Sequence, residues 1–299
     1  MRILHLSDTH LGAATAFVGA PPGWSRAHDH AAAFEAALGP AYREEVDVVL
    51  HTGDLFDRSR PPEAAMTLAL QHFTTLARRV PVVVMPGNHD RQGLRAHLSC
   101  PPPGLFVIDT ATHMRLPGLR LGVVPFERVP ARWAQQARIA VDEGVDLLLC
   151  HQSFDGSRVP GHVFRPMEGA DTLGAADLPP NAPLVLTGHI HSRQDLRLAG
   201  RRILHVGSTE RTSFVERGEA KGSMVLDLST QSFRWCDTQP RAMRYIRSPE
   251  DLAGVRPHSL VALARTARSE DIEAAALARG AYVQRWSRAD KQLSLFTEP

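Results

Sequence analysis

The sequence predicts an α/β fold in which two β-sheets pack face to face between outer helices, followed by a small C-terminal α/β unit. Two observations support this prediction. Short apolar runs bounded by polar residues recur along the chain, which is typical of buried strands. The runs of the first half alternate with helical patterns, whereas several later strand candidates follow one another without helices between them.

Each predicted element corresponds to one of these runs. The strands of the alternating part are Ile3 to Leu6, Val46 to Leu50, Val82 to Met85, Val145 to Cys150 and Leu184 to Leu186. The helical patterns cover residues 28–38, 62–79 and 131–143, and the later strand candidates cover 194–198, 202–206, 223–228 and 232–235. Two sheets with helices on their outer faces accommodate both the strands that alternate with helices and the later strands that follow one another directly.

The chain is predicted to divide into three parts. Residues 1–236 form the main domain, residues 237–290 a small α/β cap domain, and residues 291–299 a flexible tail. The cap domain is predicted from strand candidates at 243–247, 260–265 and 281–286 and from a helix at 269–279.

Composition narrows the possible partners and compartments. The 34 basic and 32 acidic side chains give a net charge of only +2, so any affinity for nucleic acid has to come from local patches. Three cysteines without paired spacing indicate neither a disulfide framework nor a thiolate metal site. The sequence enters a strand pattern at once and has no apolar run of membrane-spanning length. We expect a cytoplasmic, nucleoid-associated protein without a membrane partner.

Polar side chains follow five of the predicted strands, close to the point where each strand ends. In chain order they are Asp8 and His10, Asp54 and Asp57, Asn88 with His89 and Asp90, His151, and His189 with His191. An open α/β sheet builds its site outside the carboxyl ends of its strands, so these side chains are expected to share one edge. Gly53, Gly87 and Gly188 lie beside them and permit tight turns and close backbone approach.

This donor set predicts a centre with two metal ions. Carboxylate, imidazole and amide donors without a thiolate suit Mn²⁺, Fe²⁺ or Zn²⁺ better than Mg²⁺ or Ca²⁺. The donors are too many for one ion, whereas two ions about 3.5–4 Å apart would use them all and hydrolyse phosphate esters. Asp54 is the candidate bridging ligand. The alternative is that these polar side chains are unrelated turn residues. This would explain any single pair, such as Asp8 and His10, but not five blocks of such residues in order at five strand ends.

The ordered set D-x-H, GD-x-x-D, GNHD, a lone His after a strand and GHxH resembles the calcineurin-like metallophosphoesterases. The segments HLSDTHLG, TGDLFD, CHQS and VGSTERTSFVERGEAKG are similar to those of SbcD-type DNA repair nucleases and their archaeal and eukaryotic relatives. The resemblance implies a metallophosphoesterase sandwich and a Mn-dependent DNA nuclease acting in repair or replication. It also implies one metal held by Asp8, His10, Asp54 and His191, and a second held by Asp54, Asn88, His151 and His189.

The resemblance leaves His89 without a metal to hold and implies that it acts beside the scissile phosphate, as a general acid or by stabilising charge. Asp57 would orient His89, as in the phosphatase branch of the family. Related nucleases often carry a histidine at this position, and Asp57 has a second interpretation as a cap of the following turn.

Two other functions fit parts of the sequence. A phosphodiesterase for a small substrate such as a cyclic nucleotide would use the same metals, and a non-catalytic adaptor would bind DNA through an inactive site. The cap domain and the STER segment (Ser208–Arg211) favour DNA as the substrate. SbcD-type nucleases usually continue into helices that grip a coiled-coil ATPase, and only a short tail follows Trp286, which argues against an SbcC-like ATPase partner.

The tail carries a motif of its own. Gln292, Leu293, Leu295 and Phe296 resemble the pentapeptide by which bacterial replication and repair proteins dock on the sliding clamp. Leu295 and Phe296 would fill an apolar pocket as the segment orders, and Gln292 would supply a polar anchor. The alternative is that these residues fold back on the cap domain.

Overall fold

The computed structural model describes residues 1–91, 93–159, 171–264, 267 and 269–284. The clamp-like motif with Gln292, Leu293, Leu295 and Phe296 lies outside these residues, as does the end of the last predicted strand. Within the described part of the chain, no helix combines the length and apolarity needed to cross a membrane.

The elements follow one another in mixed α/β order. Strands β1 to β8 are Arg2–Leu6, Val48–Thr52, Val82–Met85, Leu105–Val107, Thr112–Leu116, Leu119–Val124, Leu147–His151 and Ser153–Phe154. Strands β9 to β17 are Thr172–Leu173, Leu184–Gly188, Gln194–Leu198, Arg201–His205, Gly222–Asp227, Ser232–Asp237, Met243–Ile246, Leu260–Leu263 and Tyr282–Val283. Helices α1 to α5 are Arg26–Tyr42, Glu63–Ala77, Leu94–His97, Pro130–Val141 and Glu270–Ala278, and 3-10 helices span Phe214–Glu216 and Pro249–Gly254.

Two six-stranded sheets form the main body. The first has the order β14-β13-β1-β2-β3-β4 and the second the order β11-β12-β10-β7-β6-β5. Strands β1 to β4 run parallel in the first sheet, and β6, β7, β10 and β12 run parallel in the second. The antiparallel strands lie toward the edges of both sheets.

The core lies between the sheets and under the helices. Leu50 and Val83 of the first sheet are fully buried in one cluster with Leu121, Leu149 and Leu186 of the second. Helices α1 and α2 cover the outer face of the first sheet, and α4 covers that of the second. This architecture confirms the predicted two-sheet α/β sandwich flanked by helices.

The segment between residues 105 and 124 differs from the prediction, which placed no strand there. It forms β4, β5 and β6, and β5 and β6 pair as a hairpin. The β4 run is only three residues long and follows Pro101 to Pro103, while β5 is a partly exposed edge strand. Short and partly exposed strands such as β4 and β5 lack the continuous apolar run that marks a buried strand. Strand β6 is buried, but Arg120 and Gly122 interrupt its apolar run. The one local sequence feature that indicates the β5–β6 hairpin is the turn at Pro117 and Gly118.

Residues after β14 form a separate parallel sheet, ordered β15-β16-β17, with its own apolar cluster under α5. The loop before α1 reaches across to this sheet, because Val18 exchanges two backbone hydrogen bonds of 2.8 and 2.9 Å with Val283. Phe17 and Trp24 of the same loop pack near Tyr282. These two aromatic side chains therefore join the loop to the C-terminal sheet.

Candidate metal centre

The centre lies where the carboxyl ends of strands from both sheets meet. Asp8 and Asp54 follow β1 and β2 of the first sheet, and His151 ends β7 of the second. All three are buried, with exposed fractions of 0%, 2% and 0%. The Nε2 atom of His151 lies 3.4 Å from Asp54 Oδ2 and 3.9 Å from Asp8 Oδ1.

The other predicted ligands surround this buried trio. His10 Nε2 lies 3.1 Å from His191 Nε2 and 3.9 Å from Asp54 Oδ2. Asn88 Oδ1 lies 3.1 Å from His151 Nε2 and 2.9 Å from His189 Nδ1. The seven side chains predicted as ligands thus form one continuous set of contacts.

The charges of the centre fit divalent cations. Burial raises the pKa of Asp8, whereas His151 outweighs the effect of burial on Asp54 and lowers its pKa. Burial by itself would lower the pKa of His151, but the neighbouring Asp54 and Asp8 raise it to about 9. Two buried carboxylates thus demand positive charge at this point, and metal ions are one of the few ways to satisfy them.

The imidazole nitrogens also fit a shared cation. His10 Nε2 and His191 Nε2 face each other at 3.1 Å, and only one of a close pair of nitrogens can carry the proton between them. Three groups of side chains bring possible ligand atoms within 4.8 Å of one another: Asp8 with His10 and His191, His10 with Asp54 and His89, and Asp8 with Asp54 and His151. Carboxylates and imidazoles in this arrangement match the donors of Mn²⁺, Fe²⁺ and Zn²⁺.

The backbone is strained where these side chains leave the strands. Asp8, His10, Asp54 and His189 have φ angles of 50°, 45°, 51° and 77°. This left-handed region costs L-residues roughly 1–2 kcal/mol each, although Asp and Asn visit it more readily. Such strain is typical of functional sites, where the surrounding structure holds side chains in otherwise unfavourable directions.

Two glycines allow the close approach of these loops. A Cβ atom on Gly87 would lie 2.1 Å from Asp54 Oδ1, and one on Gly188 would lie 1.9 Å from Ser7 Oγ and 2.8 Å from His151 Nδ1. All three distances are shorter than a van der Waals contact. Any side chain at either position would displace a predicted ligand or its immediate support.

His89 lies exposed at the rim of the centre. Its ring Nδ1 is 2.8 Å from the backbone carbonyl of Asp57, and its backbone N–H donates to Asp54 Oδ1 at 2.9 Å. The Asp57 carboxylate instead faces His10 Nδ1 at 3.8 Å and Arg58 at 3.3 Å. The expected contact between residues 57 and 89 is therefore made by the backbone and not by the carboxylate.

Asp90 supports the centre in a way that sequence reasoning missed. Its buried carboxylate accepts hydrogen bonds from the backbone N–H groups of Gly87 and Phe56, at 2.8 and 3.1 Å. Burial, together with nearby Asp54, raises the pKa of Asp90 to about 7. Asp90 therefore links the loop after β3 to the loop after β2. The sequence feature that could have indicated this role is the position of Asp90 at the end of the GNHD block.

The fold and the centre together define a metal-dependent phosphoesterase. Residues 1–193 match the family described as calcineurin-like phosphoesterase, and the chain belongs to that family. This confirms the predicted family and the class of enzyme, a hydrolase of phosphate esters.

Several relatives are DNA repair proteins. The chain is 29% identical to the DNA double-strand break repair protein Mre11 of Sulfurisphaera tokodaii, over 76% of this chain and 60% of the relative. It is 29% identical to the SbcD component of the SbcCD nuclease of Bacillus subtilis, over 76% of this chain and 66% of the relative. Both alignments span less than two thirds of the relatives' own length. The corresponding nuclease component of Rhodobacter capsulatus is 29% identical over 99% of this chain and 82% of its own.

A solved structure shares the fold. The crystal structure of the protein TT1561 of Thermus thermophilus superposes with a TM-score of 0.50 at 15% identity, covering 80% of this chain and 99% of that one. At this identity the likeness concerns the fold alone.

Proposed function

We propose that the protein is a DNA nuclease that hydrolyses phosphodiester bonds with two divalent cations and acts in DNA repair or replication. The observation that carries the proposal is the convergence of seven ligand side chains from both sheets on one edge, with exposed His89 beside them. DNA as the substrate is supported by the relatives, which are named as a nuclease component and as double-strand break repair proteins.

The ligand set divides between two positions that share Asp54. Asp8, His10, Asp54 and His191 would hold one cation, and Asp54, Asn88, His151 and His189 would hold the other. We propose Mn²⁺, with Fe²⁺ and Zn²⁺ as the other ions that these donors suit. When bound, such a pair polarises the phosphate and lowers the pKa of water.

His89 supplies the proton chemistry in this proposal. The Asp57 carbonyl accepts a hydrogen bond, so Nδ1 of His89 carries a proton and the ring is held in one orientation. A second proton on the ring therefore resides on Nε2, from which it can pass to the leaving oxygen of the cleaved ester.

An arginine-lined cavity supports a polyanionic substrate. A cavity of about 500 Å³ lies between the 3-10 helix Phe214–Glu216 and strand β15, and its lining includes Arg211, Arg217 and Arg244. It also includes one acid, Asp251, whose carboxylate accepts a hydrogen bond from the backbone N–H of Arg247. Arg211 is committed to backbone carbonyls of Glu219 and Arg241, whereas Arg217 and Arg244 have no carboxylate partner among the described residues. We propose that Arg217 and Arg244 contact DNA phosphates and that residues 237–290 act as a cap domain that steers DNA over the metals.

Assays of the purified protein with Mn²⁺ on single-stranded DNA, duplex DNA and a cyclic nucleotide test this function. We expect hydrolysis of DNA. The double variant Arg217→Gln and Arg244→Gln is expected to bind DNA more weakly, with a salt dependence reduced by about one unit of slope per lost phosphate contact. Its hydrolysis of a small diester should match that of the wild type.

The matched control is Arg132→Gln with Arg138→Gln, which removes two exposed arginines from α4 on the outer face of the second sheet. This variant should bind DNA like the wild type. Turnover of the cyclic nucleotide alone by the wild type would replace the nuclease assignment with the small-substrate phosphodiesterase.

We also propose that the tail recruits the enzyme to the bacterial sliding clamp through Gln292, Leu293, Leu295 and Phe296. Deletion of residues 291–299 is expected to remove clamp binding and to leave DNA hydrolysis unchanged. Surface plasmon resonance with immobilised clamp measures the first, and a nuclease assay without clamp measures the second. Equal clamp affinity of both forms would refute this role of the tail.

A further inference from the structure

We propose that Glu216 and Lys221 are positioning residues that hold His191 as a cation ligand. The inference rests on the proposed metal-dependent function. Both residues belong to the segment 206–222 that follows the second sheet, and neither was a predicted site residue.

His191 is held from the side opposite the metal centre. Its Nε2 faces into the centre, 3.1 Å from His10 Nε2 and 3.9 Å from Asp8 Oδ1. Its Nδ1 lies 3.0 Å from Glu216 Oε1. Because a carboxylate only accepts, the proton of this hydrogen bond lies on Nδ1, and the Nε2 lone pair is left for a cation.

Glu216 is fixed in turn by donors around both of its oxygens. It is 3% exposed, and Thr212 donates to it through its hydroxyl at 2.6 Å and its backbone N–H at 3.1 Å. Lys221 Nζ lies 2.8 Å from Glu216 Oε2. The carboxylate therefore has little freedom to move away from His191.

Lys221 completes the arrangement with its three N–H donors. Its fully buried Nζ lies 2.8 Å from Glu216, 3.1 Å from Glu219 Oε2 and 2.9 Å from the backbone carbonyl of His191. Three convergent acceptors match the compact ammonium group, whereas the planar guanidinium of arginine has a different donor geometry. The chain has only two lysines, Lys221 and Lys291, among its 34 basic residues, so the lysine here fills a place that arginine does not.

The support is specific to one side of the centre. The Nδ1 atom of His151 faces the backbone carbonyl of Thr52 at 2.7 Å, a contact that no side-chain substitution removes. The Nδ1 atom of His191 instead faces two side chains, the charged Glu216 carboxylate at 3.0 Å and the Thr212 hydroxyl at 3.1 Å, and that hydroxyl itself donates to Glu216. Loss of Glu216 is therefore expected to weaken the position that includes His191 and to spare the position that includes His151.

Titration of the metal-free, full-length protein with Mn²⁺ tests this inference without any substrate. The wild type is expected to show two binding events. Glu216→Gln should weaken one of them by about 10–100-fold and leave the other unchanged. Lys221→Arg, which keeps the buried charge, should weaken the same event, and raising Mn²⁺ should restore hydrolysis in both variants.

Glu210→Gln is the matched control, because Glu210 is an equally buried carboxylate of the same segment, paired with Arg26 at 3.3 Å, and it does not contact His191. It should keep both affinities. Equal weakening of both events in Glu216→Gln would indicate general loosening and overturn the inference, as would two unchanged affinities. If Glu216→Gln does not fold, unchanged affinities in Lys221→Arg overturn it. Absence of DNA hydrolysis alone would refute the nuclease assignment and not this role of Glu216.

Discussion

His89→Ala is expected to lower the rate of hydrolysis by about 10²–10⁴-fold while both cations stay bound. The reason is geometric. The His89 ring lies exposed at the rim of the centre, and its Nδ1 is engaged with the Asp57 carbonyl at 2.8 Å, so a second proton on the ring sits on the free Nε2. None of the seven proposed ligands is removed. Single-turnover rates on a DNA oligonucleotide, together with Mn²⁺ titration, measure the two effects separately.

Two further variants serve as comparisons for His89→Ala. Asn88→Ala removes a proposed ligand from the neighbouring position and is expected to weaken cation binding, which His89→Ala should not do. Asp57→Asn keeps the backbone carbonyl that orients His89, so its effect on the rate is expected to be smaller than that of His89→Ala. An unchanged rate in His89→Ala would exclude the general-acid role. If the wild type binds DNA but does not hydrolyse it, the protein is better described as a non-catalytic adaptor.

Acidification below pH 6.5 is expected to lower the stability of the protein steeply. Burial lowers the pKa of His5, His51 and His205 to about 3 and that of His30 to about 4. In the unfolded chain these imidazoles titrate near 6.5. Between the two values the unfolded state binds protons that the folded state excludes, so the free energy of unfolding falls as the pH falls.

The expected change in the free energy of unfolding per pH unit follows from the number of buried titratable groups. Each such histidine contributes about 1.4 kcal/mol per pH unit within its window. Asp90 acts in the opposite direction, because its pKa is raised to about 7 and the folded state keeps a proton that the unfolded state loses. The four histidines less this one carboxyl contribute a slope of roughly 4 kcal/mol per pH unit between pH 4 and 6. His189 of the metal centre, whose pKa burial lowers to about 3, acts in the same direction as the four histidines. Typical domains have only about 5–15 kcal/mol of stability, so a slope of this size is expected to bring the protein close to its unfolding transition between pH 6 and 4.

Urea unfolding at several pH values, in the presence of a chelator, measures this slope. His5→Gln removes one of the buried imidazoles and should reduce the slope by about 1.4 kcal/mol per pH unit. Leu186→Val, which trims the core without removing a titratable group, serves as the control and should leave the slope unchanged. A free energy of unfolding that is constant between pH 6.5 and 5 would contradict the prediction.

Much of the fold could be predicted from local signals. The continuous apolar runs of β1, β2, β3, β7 and β10 mark strands that are buried on both faces, and each lies within two residues of its predicted position. The edge strands β4 and β5 escaped prediction because a short or partly exposed strand has no such run. Their stability comes from pairing with β3 and β6, which is a property of the sheet and not of the segment.

The candidate site likewise contains residues that the sequence identifies and contacts that only the structure reveals. Asp8, Asp54 and His151 were identifiable because each follows an apolar strand, and strand ends of a parallel sheet share an edge. The contact of Glu216 with His191 joins residues 25 positions apart, and no local spacing indicates it. Likewise, nothing in the TGDLFD block distinguishes the backbone carbonyl of Asp57 from its carboxylate as the partner of His89.

The order of apolar runs and polar blocks by itself determined the sandwich, the edge on which the site lies and the chemical types of its donors, because strand burial and strand direction follow from local pattern. Only the tertiary structure decided how those donors are aimed. The left-handed backbone at Asp8, His10 and Asp54, and the buried ion pair behind His191, are unfavourable in isolation. They persist because contacts from distant parts of the chain hold them in place.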